Sequence, residues 1–301
     1  MSHTGILGSG LRDGLSLKPV HYQWAYDLYE QAIANTWFPN EIQLDHDKDD
    51  WNQLSEEERH ALSYIVTFLS PEKFLINDAL AFAIYPYVSV AEVHMYLAKQ
   101  LWEEANHAMA LKKTREMFTM TDERMKAPKS LAGKKAFIKR YVDAATASSL
   151  DIKTIEDKQA FIRSLVATYS VLKGIWFMSS YMLALSFRQR NTLMNFSHMI
   201  DWMVRDEQLH AQFGKHLILA ALEENEELQT SDFANEIRDM ILEAVALEAT
   251  YNRDLLPHGI LGLNSDYIDQ YIKYLADQRL EDLGLQTEYN VSNPMAWMMS
   301  Q

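Results

Sequence analysis

Cysteine is absent from this sequence. That excludes disulfides, thiolate metal sites and any cysteine nucleophile or cysteine radical within it. Glycine and proline are scarce, at 10 and 7 of 301 residues, which disfavours strands joined by tight turns and suits long helices. Positive charge is short as well: 28 Lys and Arg stand against 42 Asp and Glu, a formal charge of −14. Neither nucleic acid nor an anionic membrane surface is then expected as a partner, because both need a basic face. No run of about 18 uncharged apolar residues occurs, so no membrane span is expected. The N-terminal stretch carries no apolar signal-peptide core. A soluble, cytoplasmic protein is the expectation.

What the sequence has is apolar mass, 48% of its residues, arranged at helical spacing. Ser55 with Glu58, Ser89 with Glu92, and Thr154 with Asp157 have the spacing of capping boxes or their Asp variant. The pattern predicts helices over 21–36, 55–85, 89–118, 131–147, 155–189, 192–224, 231–255 and 265–283. Ser70-Pro71 marks a restart or kink and Pro86 an end. Loops are expected over 1–20, 38–53 and 120–130. Several of these helices far exceed the usual length of about 11–12 residues. Long helices with short connections make an antiparallel bundle. No repeat or low-complexity linker divides residues 1–301, so a single all-α domain is expected.

Two Glu-x-x-His motifs carry the chemistry: Glu104-Ala-Asn-His107 and Glu207-Gln-Leu-His210. A separation of three residues puts Glu and His on one face of a helix, where both can reach one metal. Surface Glu and partly buried His would be the plainer explanation of one such motif. Two of them, on separate long helices, fit a carboxylate di-metal bundle. Their flanks (Tyr96, Leu97, Leu101, Trp102 and Met199, Ile200, Met203) are apolar, as a core-facing stripe requires.

Further motifs carry a family resemblance. Thr36-Trp37-Phe38-Pro39-Asn40-Glu41-Ile42, Arg205-Asp206-Glu207-Gln208-Leu209-His210, Tyr274 to Leu280 with Leu283-Gly284, and Asn293-Pro294-Met295-Ala296-Trp297-Met298 occur in order. Together, over about residues 21–300, they resemble the small, radical-generating subunit of class I ribonucleotide reductase. The resemblance implies a ferritin-like homodimeric bundle holding an Fe or Mn pair beside a radical tyrosine, with the radical passed to a large (alpha) subunit that reduces ribonucleotides. It implies Glu104 and Glu207 as metal-bridging ligands, His107 and His210 as histidine ligands, and Trp37, Asp206 and His107 as the long-range electron and proton path. It also implies a tail beyond the last motif that docks on the large subunit; the sequence ends at Gln301.

The sequence departs from that family at the site itself. The di-metal template also needs a lone carboxylate from each of two other helices. By the family spacing these positions are Lys73 and Lys173. From Lys158 to Ile200 there is no Asp or Glu, so the second helix has no carboxylate to offer. On the first, Glu72 and Asp78 are available, but Glu72 lies one residue away, about 100° around the helix, and would need a register shift to ligate. A protonated lysine has three donors and no lone pair, so it cannot bind a metal. Two lysines facing two glutamates, with neutral histidines, sum to zero charge and give a coherent metal-free core. An outward-pointing Lys73 or Lys173 is the competing reading, but the apolar neighbours Val171, Leu172, Ile175, Trp176 and Phe177 favour burial of Lys173. The radical tyrosine position holds Leu111, and no Tyr lies between Tyr96 and Tyr141. Tyr181 is the candidate left near the site.

The expected function is therefore the small subunit of a ribonucleotide reductase with a non-standard, metal-free site. Two alternatives stay open: a catalytically silent structural or regulatory homologue, and a ferritin-like oxidase holding one metal on Glu104, His107, Glu207 and His210.

Overall fold

Each long helix carries its apolar residues at helical spacing, and burying those stripes against one another builds the molecule. The structure, a computed structural model, describes residues 5–8, 15–120, 128–147, 152–260 and 263–296, with the side chains of 71–78 outside the description. Among the described residues there are ten α-helices and no strand, only two isolated bridges. In sequence order they are α1 (Gln23–Ala34), α2 (Lys48–Gln53), α3 (Glu56–Asp78), α4 (Ala91–Met117), α5 (Leu131–Ala147), α6 (Ile155–Leu165), α7 (Met178–Leu185), α8 (Met194–Glu223), α9 (Ser231–Leu255) and α10 (Ser265–Asp282). A π-helical segment, Val166–Phe177, joins α6 to α7. Helices α3, α4 and α8 and this segment pack as the central bundle, with α1 laid on α4 and α8 and with α9 and α10 on the outer side of the π segment.

Local signals account for many of the boundaries. Ser55 and Glu58 form a reciprocal capping box at 2.8 and 3.2 Å, and Thr154 with Asp157 forms another. Ser89 does not cap. Its hydroxyl donates to the Gly5 and Ile6 carbonyls, and Glu92 instead accepts from the backbone N–H groups of His21 and Tyr22, tying the N-terminal segment to α4. Helix α3 runs through Pro71 without interruption and gives way to irregular helical turns up to Tyr87, in line with the stop expected at Pro86. The stretch 38–53 is less of a loop than its sequence suggests, since it holds two 3-10 turns, Pro39–Glu41 and Leu44–Asp47, and then α2.

The helical stretch Ile155–Arg190 is long and apolar enough to cross a membrane, and its apolar window is wholly buried inside the bundle. It is the core element. A helix hydrophobic all round belongs in such a place. A second buried charge lies alongside it. Lys134 of α5 pairs with Glu248 of α9 at 2.5 Å, while Ser179 of α7 donates to the same carboxylate. The ammonium rests 3.5, 4.1 and 4.8 Å from the ring centres of Phe68, Tyr251 and Trp176.

Close approach of the π segment to α8 depends on Gly214. A Cβ there would lie 2.1 Å from the Tyr169 ring, so only hydrogen leaves room for that ring, whose hydroxyl donates to Gln100 of α4 at 3.0 Å. Gly214→Ala is expected to destabilise the protein by about 1–3 kcal/mol through overpacking. Denaturant unfolding checks this, and a midpoint equal to the parent's would contradict the wedge.

Candidate functional site

Lys173 enters the bundle from a segment that is buried on every side. Such π-helical turns, with i→i+5 bonding, are frequent at functional sites. The Lys173 ammonium donates to Glu104 Oε1, in a very short contact, and to Glu207 Oε2 at 2.7 Å. It also stands 3.0 Å from His210 Nδ1. Glu104 comes from α4 and Glu207 and His210 from α8, each on the inward stripe of its helix and none exposed. The two Glu-x-x-His motifs therefore converge inside the bundle with Lys173 between them.

His210 differs from the neutral ring expected of it. Burial and the Lys173 ammonium both press it toward neutrality. Hydrogen bonds to Glu103, Glu104 and Glu207 outweigh them and raise its pKa to about 10. The group sequence reasoning missed is Glu103, which is buried and lies 2.8 Å from His210 Nε2. Its signal was present as an i, i+4 pairing with Lys99, seen here at 3.1 Å. Lys173 Nζ and His210 Nδ1 would repel each other on their own. Glu207 Oε2 lies against both, 3.1 Å from Nδ1, and so does Glu104 Oε1, 3.4 Å from Nδ1. Three basic side chains (Lys99, Lys173, His210) then face three acidic ones (Glu103, Glu104, Glu207). Pairing is what makes buried charges tolerable.

The other face of the site leads outward. His107 on α4 places Nδ1 3.4 Å from Glu207 Oε1 and Nε2 3.0 Å from Asp206 Oδ2. The same Asp206 oxygen accepts the Trp37 indole N–H at 2.8 Å, and the Trp37 ring stacks on His107 with centres 5.9 Å apart. Trp37 lies in the loop after α1, pinned by Asn106, which donates to its carbonyl at 3.0 Å. Lys113 fixes the next turn through the Pro39 and Ile42 carbonyls. Tyr181 on α7 is fully buried, with its hydroxyl 3.5 Å from Glu207 Oε1. Burial, and then the charges of Glu207, Glu104 and Asp206, hold its pKa well above the ordinary phenol value, so it is a neutral phenol. Leu111 is buried on α4 and brings only hydrocarbon. Lys73 falls within α3, but its side chain lies outside the described residues, and so do those of Glu72 and Asp78.

Ligand atoms of Glu104, Glu207 and His210 all lie within 4.8 Å of one another and could by themselves surround a cation. The cation at their centre is the Lys173 ammonium, which has no lone pair to ligate with and fills the space. These residues do not fit a metal pair. Lys173→Met keeps the apolar stem and removes the charge, leaving Glu104 and Glu207 facing one cation fewer. It is expected to cost roughly 3–5 kcal/mol, read as a lower denaturant midpoint. An unchanged midpoint would show that the ammonium is not what holds the cluster.

Comparison with known proteins bears on nearly the whole length. The family model described as ribonucleotide reductase, small chain, matches residues 15–294. The ribonucleoside-diphosphate reductase subunit beta of Chlamydia pneumoniae is 32% identical over 99% of this chain and 88% of its own. The ribonucleoside-diphosphate reductase small chain of Nicotiana tabacum is 25% identical over 95% of this chain and 83% of its own. Among solved structures, the ribonucleotide reductase R2 subunit from Clostridium botulinum superposes with a TM-score of 0.88, at 26% identity, over 98% of this chain and 93% of that one. With a family model that matches most of its length and a relative 32% identical, the chain belongs to the ribonucleotide reductase small-chain family, which serves the conversion of ribonucleotides to deoxyribonucleotides.

Proposed function

We propose that this protein acts as a reductase small subunit with a metal-free site, in which the Lys173 ammonium supplies positive charge where the family's metal ions would. The observation that carries this reading is the contact of Lys173 Nζ with Glu104, Glu207 and His210 at once. Displacing a buried ammonium to admit a divalent cation would strand a charge on a helix with no carboxylate to receive it. The path Trp37–Asp206–His107 supports a surviving radical role, because its hydrogen bonds are complete from indole to imidazole. Leu111 supports the silent homologue, since no phenol stands at that position.

The partner in this reading is the large subunit of the same reductase, in the cytoplasm, and the protein pairs with a second copy of itself. Exposed Phe38 and Trp102 meet edge to face at 5.8 Å. Met109, also exposed, lies two turns along α4 on the same face as Trp102. Apolar surface of this kind favours burial in a dimer. Sedimentation at micromolar concentration is expected to show dimer, and monomer alone would count against it.

Elemental analysis of protein from its native source tests the site. No stoichiometric metal is expected. Two metals per subunit would refute the proposal, and one would favour the single-metal oxidase. The double variant Lys73→Glu/Lys173→Glu is expected to take up Fe or Mn where the parent does not. Deoxyribonucleotide formation by the protein mixed with its large subunit separates an active member from a silent one.

A further inference from the structure

Away from the central cluster, another pair of opposite charges is sealed in the fold. The side chains of Lys134 on α5 and Glu248 on α9 have no exposure, and Nζ stands 2.5 Å from Oε2. That is closer than the roughly 2.7–2.9 Å of a charge-assisted N–H···O bond. Oε2 is one bond from the carboxyl carbon, so Nζ lies within about 3.8 Å of Cδ, near the separation of about 3–3.5 Å at which bound groups react. The faces of Phe68, Tyr251 and Trp176, with centres 3.5, 4.1 and 4.8 Å from Nζ, hold the amine against the carboxyl.

The two oxygens of Glu248 face different groups. Oε2 faces the amine, whereas Oε1 accepts from the Ser179 hydroxyl at 2.5 Å. Attack of Nζ on Cδ would gather negative charge on Oε1, where that hydroxyl is already aimed. A donor set in advance at a developing oxyanion is among the strongest aids a site can give to acyl chemistry. Burial, moreover, pushes the Glu248 carboxyl up, against the pull of the ammonium and the hydroxyl. Passage of a proton from Nζ to Oε2 is favoured by that, and it frees the amine lone pair.

We infer that Lys134 and Glu248 condense into an isopeptide bond that ties α5 to α9. The step balances without a co-reactant. The Nζ–Cδ bond forms and the Cδ–Oε2 bond breaks. Oε2 leaves as water, carrying two of the three ammonium protons, and nothing is oxidised or reduced. The buried ion pair has given up the hydration of both charges, which mutual attraction repays only in part. The amide carries no charge, and its reversal needs water in a space closed to solvent. Fixing two groups in contact is worth an effective concentration of about 10⁵–10⁸ M, and this lets an unactivated carboxyl react. At Lys173 the same step is opposed. Glu104 and Glu207 there also brace His210, and turning either into an amide would remove charge on which that ring depends. The link between α5 and α9 does not rest on the small-subunit reading.

Mass spectrometry of the intact, denatured protein tests this, on protein as purified and again after prolonged incubation. The chain is expected to be lighter than its sequence by the mass of one water, and a tryptic digest to contain a branched peptide joining Lys134 to Glu248. Lys134→Arg keeps a cation in the cage but offers a poor nucleophile, so it is expected to show the full sequence mass and no branched peptide. Ser179→Ala, followed in freshly synthesised protein, is expected to accumulate the lighter species about a hundredfold more slowly. A parent of full sequence mass after incubation would overturn the proposal, and so would a water loss that maps to any other pair of residues. The parent's mass decides by itself, so the outcome stands even where a variant folds poorly.

Discussion

An ammonium group buried without water must be surrounded by acceptors, and the centre of this bundle is organised by that demand. Lys173 sits at the meeting point of α4, α8 and the π-helical segment. Two carboxylate oxygens bind it and also brace His210. His210 then requires Glu103, and Glu103 requires Lys99. Each charge is tolerable because of the next, so the cluster behaves as one unit and its members cannot be valued one at a time.

The second buried lysine shows another solution to the same difficulty. Lys134 has one carboxylate, Glu248, and the faces of Phe68, Tyr251 and Trp176. The ring quadrupoles do there what extra carboxylates do at Lys173. Burial is severe enough that the Glu248 pKa is raised even with an ammonium and a serine hydroxyl beside it. Lys134 is enclosed by one carboxylate and three ring faces, whereas Lys173 is enclosed by two carboxylates and an imidazole.

Much of this was legible in the sequence because helical periodicity and the i, i+3 rule act locally. The long helices, the inward aim of Glu104, His107, Glu207 and His210, and the burial of Lys173 all follow from spacing and from the acid-free stretch 158–200. What was not legible depends on contacts across the fold. Ser89 has the form of a cap, but the N-terminal segment returns to α4 and claims both Ser89 and Glu92. Glu103 looked like one more acid among many, and only the approach of α8 makes it a partner of His210. The charge state of His210 followed the same way, since a neutral ring is the right default until a third carboxylate arrives. The expected pairing of Lys73 rests on side chains outside the described residues.

The Lys173 position also bears on how such a site could arise. Glutamate and lysine codons differ by a single base, so one mutation can exchange a carboxylate for an ammonium there. That one change shifts the charge of a closed space by two units. In a carboxylate cage built around cations, it would remove one ligand and set a fixed positive charge among the others in the same event. The reverse mutation has no such cushion: it would set four carboxylates together until a cation came in from outside. At position 173, therefore, the exchange in one direction neutralises a closed space and in the other gathers like charges within it.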